Sequence, residues 1–246
     1  MSAYFSVINN ERMELIYIGH SGFAILGGEI TIVIDYYRDP ADVSSFLLRR
    51  PGAFYVLCSH VHADHFNPEI LNWKTKRPDI RYLFSKDILE ARRVGEREAV
   101  FLEKGEVYRD DLMRVKAFGS TDVGISFLMD VAEKRIFHAG DLNNWHWKEE
   151  STLEEARQAE TDFKAELEDV ALEAPFVDLA MFPVDPRLGK EYMLGAKQFV
   201  DRIKTGVFVP MHFDRAYDRA AVFGAYAKAR GIRFIAWSKE GECINF

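Results

Sequence analysis

Four side chains that commonly bind metal ions lie within six residues of one another, in the pattern H-x-H-x-D-H: His60, His62, Asp64 and His65. In an extended segment, residues two positions apart point to the same side, so His60 and His62 can bind one cation together. The turn that follows can direct Asp64 and His65 towards a second position nearby. Imidazoles and carboxylates without a neighbouring thiolate indicate a zinc, iron or manganese site rather than a purely structural zinc site.

The residues around this cluster predict a loop between a strand and a helix. The apolar run Ala53–Cys58 predicts a short buried strand, and Asn67 and Pro68 are typical of a helix start. Rigid scaffolds commonly present functional side chains on such loops. Three of the seven histidines of the chain lie here, which favours a metal site over a solvated loop that is merely rich in histidine.

Distant parts of the chain must complete such a site, and two strand ends supply candidates. Asp141 follows Gly140 at the end of a predicted strand, where its carboxylate has little steric crowding. His212 follows the apolar run 207–210. A capping role for Asp141 and a core role for His212 are the alternatives. His20 lies in a turn between two predicted strands and would face the site if the loops at one sheet end converge.

The H-x-H-x-D-H pattern resembles the signature of the metallo-β-lactamase superfamily, and the resemblance covers most of the chain. It implies the α+β fold of that family, an αββα four-layer sandwich. It also implies a cofactor of one or two divalent metal ions, with zinc expected first and iron or manganese as alternatives. In the implied ligand set, the first ion is bound by His60, His62 and Asp141, and the second by Asp64, His65, Asp141 and His212.

The same resemblance implies a class of reaction. An aspartate at position 141, where β-lactamases of the family often have a cysteine, points to phosphoesterases and lactonases. The segments Phe182–Asp185 and Pro210–Phe213 are similar to the ascorbate-6-phosphate lactonase group and to uncharacterised hydrolases of this fold. We therefore expect a metal-activated water to attack an ester, lactone or phosphodiester bond of a small anionic metabolite. Asp64 would be catalytic, orienting the nucleophile and transferring its proton.

The chain departs from the family pattern at Ser120, which stands where a third histidine of the first site usually lies. A serine hydroxyl is a poor metal ligand unless it is deprotonated. Three arrangements follow. The first ion is held by the remaining ligands and water; His20 or Asp122 substitutes for the missing histidine; or only the second site is filled.

A non-hydrolytic metalloprotein of the same fold is the alternative function. A diiron oxidoreductase typically has the pattern H-x-E-x-D-H, so His62 argues against it, whereas Ser120 leaves a non-catalytic member open. For a hydrolase of anionic substrates, three basic residues that follow strand ends are candidate substrate-binding residues, with ordinary surface charge as the competing explanation: Arg187, Lys190 and Arg215.

The surrounding pattern of strands and helices agrees with the implied architecture. Three strands follow one another closely between Met13 and Asp35, and a second run of strands begins near Val107. Each run is followed by helices, which predicts two sheets packed face to face with helices outside. No linker rich in Pro, Gly or Ser divides the chain, so we expect a single domain over residues 1–246.

One acidic segment accounts for the net charge of −7. Between Lys148 and Glu173 there are ten acids and three bases, which leaves equal numbers of acids and bases elsewhere. We predict an acidic helix here, with an apolar stripe facing the core: Leu153, Ala156, Phe163, Leu167 and Val170. Without a basic stripe the chain is not expected to bind nucleic acid, and the expected partner is a small-molecule substrate.

The composition also limits the cellular location. No apolar run approaches the roughly 18 residues of a membrane-spanning helix, and Met1–Arg12 lacks the pattern of a secretory signal. Cys58 and Cys243 are far apart, so reduced thiols in a cytoplasmic protein are the simplest interpretation. We therefore expect a cytoplasmic enzyme without a membrane partner, and a homo-oligomer is compatible with the sequence.

Overall fold

The computed structural model describes residues 13–246, in which the strands form two mixed sheets of seven strands each. The prediction that Met1–Arg12 lacks a secretory signal lies outside these residues. The strands are β1 (Glu14–Gly19), β2 (Gly22–Leu26), β3 (Ile30–Ile34), β4 (Ala53–Cys58), β5 (Arg81–Ser85), β6 (Val100–Leu102), β7 (Val107–Arg109), β8 (Met113–Phe118), β9 (Ser126–Val131), β10 (Lys134–His138), β11 (Phe176–Pro183), β12 (Lys204–Met211), β13 (Arg233–Phe234) and β14 (Cys243–Asn245).

Helices connect these strands on the outside of the sheets. They are α1 (Val43–Leu47), α2 (Glu69–Asn72), α3 (Lys86–Glu90), α4 (Leu153–Glu173), α5 (Leu194–Arg202), α6 (Tyr217–Ala221) and α7 (Phe223–Lys228). Two 3₁₀ segments occupy Trp73–Thr75 and Pro186–Glu191. No helix within residues 13–246 combines the length and apolarity needed to cross a bilayer.

The first sheet has the strand order β14-β1-β2-β3-β4-β5-β6. Strands β1 to β3 form the predicted antiparallel meander, whereas β3, β4, β5 and β6 run parallel. Parallel neighbours need a crossover connection, and α1, α2 and α3 lie in the three crossovers. The carboxyl ends of β3 and β4 therefore share one edge of the sheet, where the loop with the histidine cluster begins.

The second sheet has the order β13-β12-β11-β10-β9-β8-β7. The predicted hairpin pairs β9 with β10, and β10 to β13 are parallel. The crossovers after β10 and β11 contain α4 and α5. This topology places the carboxyl ends of β10 and β12, which precede Asp141 and His212, at the same edge of the second sheet.

Alternating side chains build the layers between and outside the sheets. In β3, Ile32 and Ile34 belong to the cluster that includes the second sheet, whereas Val33 packs with residues of α1 and α3 such as Leu47 and Ile88. Helices α4 and α5 cover the outer face of the second sheet. The αββα sandwich predicted from the sequence is confirmed.

The acidic helix forms over Leu153–Glu173 and starts with a capping box between Thr152 and Glu155. Four of the five predicted stripe residues are buried, but the prediction for Leu153 is wrong. Leu153 is the first residue of the helix, and its side chain is 78% exposed.

We expect Phe182→Ala to lower the free energy of unfolding by about 3–5 kcal/mol, because it removes a fully buried ring. The Phe182 ring packs against Phe163 of α4, Phe199 of α5 and Phe208 of β12. Leu153→Ala is the control and should change stability by less than about 1 kcal/mol. Urea denaturation measures both values, and equal losses for the two variants would contradict this packing.

Candidate metal centre

The predicted ligands come together where the carboxyl ends of the parallel strands meet. The loop after β4 supplies four of them, β10 leads to Asp141, β12 leads to His212, and the turn between β1 and β2 adds His20. Their ligand atoms form three groups, in each of which the atoms lie within 4.8 Å of one another: His20, Asp64, His65 and His212; His60, His65 and Asp141; and His62, Asp122 and Asp141.

Buried polar atoms without partners indicate that this cluster fits a cation. Within residues 13–246, no aligned hydrogen bond satisfies Nε2 of His20, His60 or His65, or Oδ1 of Asp141. His65 Nε2 nevertheless lies 3.1 Å from Asp141 Oδ1. Leaving such atoms unsatisfied in a protein interior is costly, and a divalent ion bound by all of them removes that cost.

The cluster has two halves, one containing His60 and His62 and the other containing Asp64 and His212. Asp141 presents one carboxylate oxygen to each half. Its Oδ2 lies 3.4 Å from His60 Nε2, whereas its Oδ1 lies 3.3 Å from His212 Nε2. The side chain is almost completely buried. A carboxylate placed in this way can offer one oxygen to each of two ions, in agreement with the resemblance, which includes Asp141 in both ligand sets.

The structure places His20 in the half of the cluster that contains Asp64. His20 Nε2 lies 3.2 Å from Asp64 Oδ2, and the His65 and His212 imidazoles lie 4.0 and 3.9 Å from the same oxygen. His20 is therefore a candidate ligand of the second ion, whereas the sequence suggested it as a substitute in the first site.

The first half of the cluster is more open and contains an extra carboxylate. His62 Nδ1 lies 3.7 Å from Asp122 Oδ2, and both side chains are nearly half exposed. Ser120 belongs to none of the three ligand groups, and its hydroxyl accepts a hydrogen bond of 3.2 Å from the Asp122 backbone N–H. Ser120 thus shapes the loop, and Asp122 is the residue positioned to replace the missing histidine.

Unusual backbone conformations bring these loops together. His20 and His212 both have left-handed backbones, with φ of 56° and 61°, and the His212 N–H donates to the His20 carbonyl. Only a few per cent of non-glycine residues adopt such angles, although histidine does so more often than most. Gly124, with φ of 81°, packs so closely on Ser59 and His60 that a Cβ would lie 2.1 Å from the Ser59 carbonyl oxygen.

Two aspartates that sequence reasoning did not identify hold ligand histidines from behind. The completely buried Asp35 accepts from His65 Nδ1 at 2.7 Å and from the Ser59 N–H and hydroxyl. Asp185 accepts from His212 Nδ1 at 3.0 Å. Such bonds fix the ring orientation and direct each Nε2 to the metal. Both aspartates follow strand ends, the same signal that identified Asp141.

The other buried histidines are held by backbone carbonyls. His138 Nε2 donates to Ser21 at 2.9 Å, and His146 Nε2 donates to Glu191 at 3.3 Å. Neither histidine belongs to a candidate ligand group among the described residues. Both are therefore interpreted as structural residues.

A family model described as the Beta-lactamase superfamily domain matches residues 14–157, more than half of the chain. The chain belongs to the β-lactamase superfamily. The matched segment contains β1 to β10 and ends within α4, so it includes every candidate ligand except His212. The resemblance to the metallo-β-lactamase superfamily is confirmed.

Similarities to individual proteins agree with this assignment. A UPF0173 metal-dependent hydrolase from Symbiobacterium thermophilum is 26% identical over 211 residues, which cover 82% of this chain and 84% of that protein. Igni18, a metallo hydrolase from Ignicoccus hospitalis, has a TM-score of 0.68 at 17% identity over 96% of this chain and 98% of its own. CmlA, a diiron β-hydroxylase from Streptomyces venezuelae, has a TM-score of 0.65 at 15% identity over 95% and 54%. At these identities the two structures show the shared fold.

Burial and neighbouring charges shift the pKa values of the histidines and carboxylates at this site. Burial disfavours a charged His65, but the carboxylates of Asp141 and Asp35 on its two sides raise its pKa to about 10. Burial, with the charge on His65, lowers the pKa of His60 to about 4. Burial alone would raise the pKa of Asp141, but the imidazoles around it hold that pKa well below its usual range.

Two cavities open onto the centre, with volumes of about 460 and 680 Å³. Of the predicted substrate-binding residues, Arg187 borders both cavities and Arg215 borders the larger. The structure does not bring Lys190 to either of them, and its backbone N–H is engaged by Glu149. A role of Lys190 in substrate binding therefore stays a prediction, whereas Arg187 and Arg215 are basic residues that the structure places at these cavities.

We expect metal affinity to rise about tenfold per pH unit between pH 6 and 8, because an entering ion must displace the proton of His65. The carboxylates stay ionised in this range and do not contribute. The stabilisation that charged His65 gives the metal-free protein is complete below pH 6.5 and is lost as the pH rises through about 10. Competition with a chromophoric chelator measures the affinity; a pH-independent value would contradict this assignment.

We expect Asp185→Asn to weaken metal binding by about 10–100-fold, because His212 loses the carboxylate that orients its ring. Asp214→Asn is the matched control, since this nearby carboxylate is largely exposed and pairs with Arg38 instead of a ligand histidine. Chelator competition at one fixed pH compares the two variants. Equal affinities would show that Asp185 does not position His212.

Proposed function

We propose that this chain is a metal-dependent hydrolase that cleaves an ester, lactone or phosphodiester bond in a small anionic metabolite. The observation that supports this most strongly is Asp141, whose two oxygens face imidazoles on opposite sides. One or two divalent ions, zinc in the first place, would supply the Lewis acid that activates water and stabilises the developing oxyanion. The printed name of the relative from Symbiobacterium thermophilum supports the same reaction class.

The residues of the centre have different tasks in this proposal. His60, His62, Asp122 and Asp141 would hold one ion. His20, Asp64, His65 and His212 would hold the other, together with the second oxygen of Asp141, which makes Asp64 both ligand and catalytic residue. These assignments rest on the three ligand groups. A centre with an imidazole-rich half and a carboxylate-rich half suits two borderline cations such as zinc, with iron or manganese as alternatives.

Asp64 orients the attacking water. Its carboxylate is 40% exposed and borders both cavities, so it reaches the position where substrate and water meet. The imidazole of His20 holds the pKa of Asp64 well below its usual range. A carboxylate of such low pKa stays ionised and accepts a hydrogen bond from the attacking water, which orients the water towards the substrate.

The remaining groups at the site favour an anionic substrate. The guanidinium groups of Arg187 and Arg215 border the cavities and can bind a carboxylate or phosphate. The two cysteines are free and far apart, which supports a reducing compartment and a cytoplasmic enzyme. We propose that it works as a single domain on a small molecule, without a nucleic-acid or membrane partner.

An oxidoreductase is the second candidate, favoured by one observation. Asp122 lies beside His62, so the first half of the cluster has two carboxylates as well as imidazoles. Carboxylate-rich sites suit iron as well as zinc, and the diiron β-hydroxylase CmlA shares the fold. The hydrolase is preferred because His62 occupies the position where diiron members typically have a glutamate.

Activity of zinc-loaded and iron-loaded protein tests the proposal. We expect the zinc form to hydrolyse a lactone or bis-p-nitrophenyl phosphate, and Asp64→Asn to lower that rate by about 10²–10⁴-fold at a zinc concentration that keeps the centre of the variant filled. Asp162→Asn, on the exposed face of α4, is the control. Full activity of Asp64→Asn would remove its catalytic role. An iron form that consumes oxygen, with no hydrolysis by the zinc form, would favour the oxidoreductase.

A further inference from the structure

We infer that the substrate has a planar ring on one side of the scissile group and an anionic group on the other. The ring and the anion occupy the two cavities that meet at the metal centre. This inference rests on the proposed function and specifies its substrate class. It follows from the shape of the cavities, the aromatic residues in one of them and the distribution of charge between them.

The two cavities form one bent site around the centre. Both are bordered by Asp64, Arg187 and His212, which therefore mark the junction. Asp64 and His212 belong to one candidate ligand group, so the reacting bond lies at this junction. A molecule cleaved there has one product arm in each cavity.

Two tryptophans border the smaller cavity. The rings of Trp145 and Trp147 are nearly parallel, at 14°, with centroids 6.3 Å apart. Trp145 is fixed to the centre, because its Nε1 donates to the Asp141 carbonyl and its ring meets His212 edge-on at 5.3 Å. Indole rings offer planar, polarisable surface on which another planar ring stacks well.

The backbone of Trp147 has an unfavourable conformation that the surrounding turn maintains. Its φ is 37°, a left-handed conformation that is unfavourable for so large a side chain. The Trp147 carbonyl accepts from the N–H groups of Glu150 and Ser151, and His146 accepts from Lys148, so the turn is held on both sides. Strained conformations of this kind persist where the surroundings impose them, frequently at binding sites. Here the turn keeps a partly buried indole at the border of the cavity.

Charge determines which cavity takes the anion. Asp64 and Arg187 border both cavities, and the smaller cavity adds the carboxylates of Asp122 and Asp141. The larger cavity adds Arg38 and Arg215, of which Arg38 pairs with Asp214 at 2.7 Å. The Arg187 guanidinium is likewise engaged, by Asp185.

Arg215 is the cation that remains for a ligand. Its side chain is exposed, and no ion pair within the part of the chain that the structure describes engages it. An anion in the larger cavity therefore meets a guanidinium whose charge is not already balanced. The smaller cavity offers no comparable group, so the ring arm belongs beside the tryptophans.

Phosphonates test both arms without requiring turnover, because their anionic head binds at the metal centre. We expect zinc-loaded protein to bind benzylphosphonate at least about tenfold more tightly than methylphosphonate, measured by calorimetry. Trp147→Leu should reduce this preference to less than threefold, and Trp147→Phe should retain it. Equal binding of the two phosphonates to the unaltered protein would overturn the ring arm.

The anion arm is tested with 2-carboxyethylphosphonate and with 3-methylbutylphosphonate, an isostere in which an isopropyl group replaces the carboxylate. We expect the carboxylate to improve binding about tenfold, and Arg215→Met to abolish this gain. Arg109→Met, an exposed arginine of β7 that borders neither cavity, should leave the gain unchanged. A gain that survives Arg215→Met, or no gain at all, would overturn the anion arm.

These measurements separate the substrate class from the proposed function. If zinc-loaded protein shows both binding preferences but hydrolyses nothing, the cavities recognise the predicted ligand and the hydrolase proposal fails. If it hydrolyses simple lactones or diesters but shows neither preference, the hydrolase stands and the two-armed substrate is wrong.

Discussion

The central constraint on this structure is the burial of imidazole and carboxylate groups whose ligand atoms have no aligned hydrogen bond among residues 13–246. His60, His65 and Asp141 lie in loops that closely follow buried strands of the two sheets. Their ligand atoms cannot be solvated there, and they lack aligned hydrogen bonds within residues 13–246. A bound cation turns this cost into a stabilising interaction, so folding and metal binding are coupled. Everything else at the site maintains that geometry.

The two sheets contribute different parts of this arrangement. The first sheet brings the histidine loop and the carboxylate behind it, Asp35, on neighbouring parallel strands. The second brings Asp141, Asp185 and His212, which follow three neighbouring parallel strands in order. Because each sheet supplies both candidate ligands and the carboxylates that orient them, neither sheet forms the centre alone. The substrate cavities lie over the junction of the two sheets.

Local sequence was sufficient for much of this account. The spacing of His60 to His65 and the strand-end positions of Asp141 and His212 indicated a shared metal site, and the structure brings all of them together. Alternating apolar runs and the helices after each of them predicted the layered fold. These features are local, or follow from the rule that parallel strands end at one edge.

Other features depend on contacts that no short stretch of sequence contains. Asp35 and His65 are 30 residues apart, and Asp185 and His212 are 27 apart, so their pairing emerges only in the fold. Leu153 matched the helical period, but it lies at the very start of the helix, where the period does not determine burial.

The most direct test of the account is anomalous X-ray scattering from crystals of protein purified without chelator and supplied with zinc. The account predicts a strong anomalous peak within about 2.0–2.2 Å of His65 Nε2 and an Asp141 oxygen. A second peak should lie on the side of His60 and His62. An ordered site with no anomalous density between these side chains would contradict the central claim that a cation holds the two sheets' ligands together.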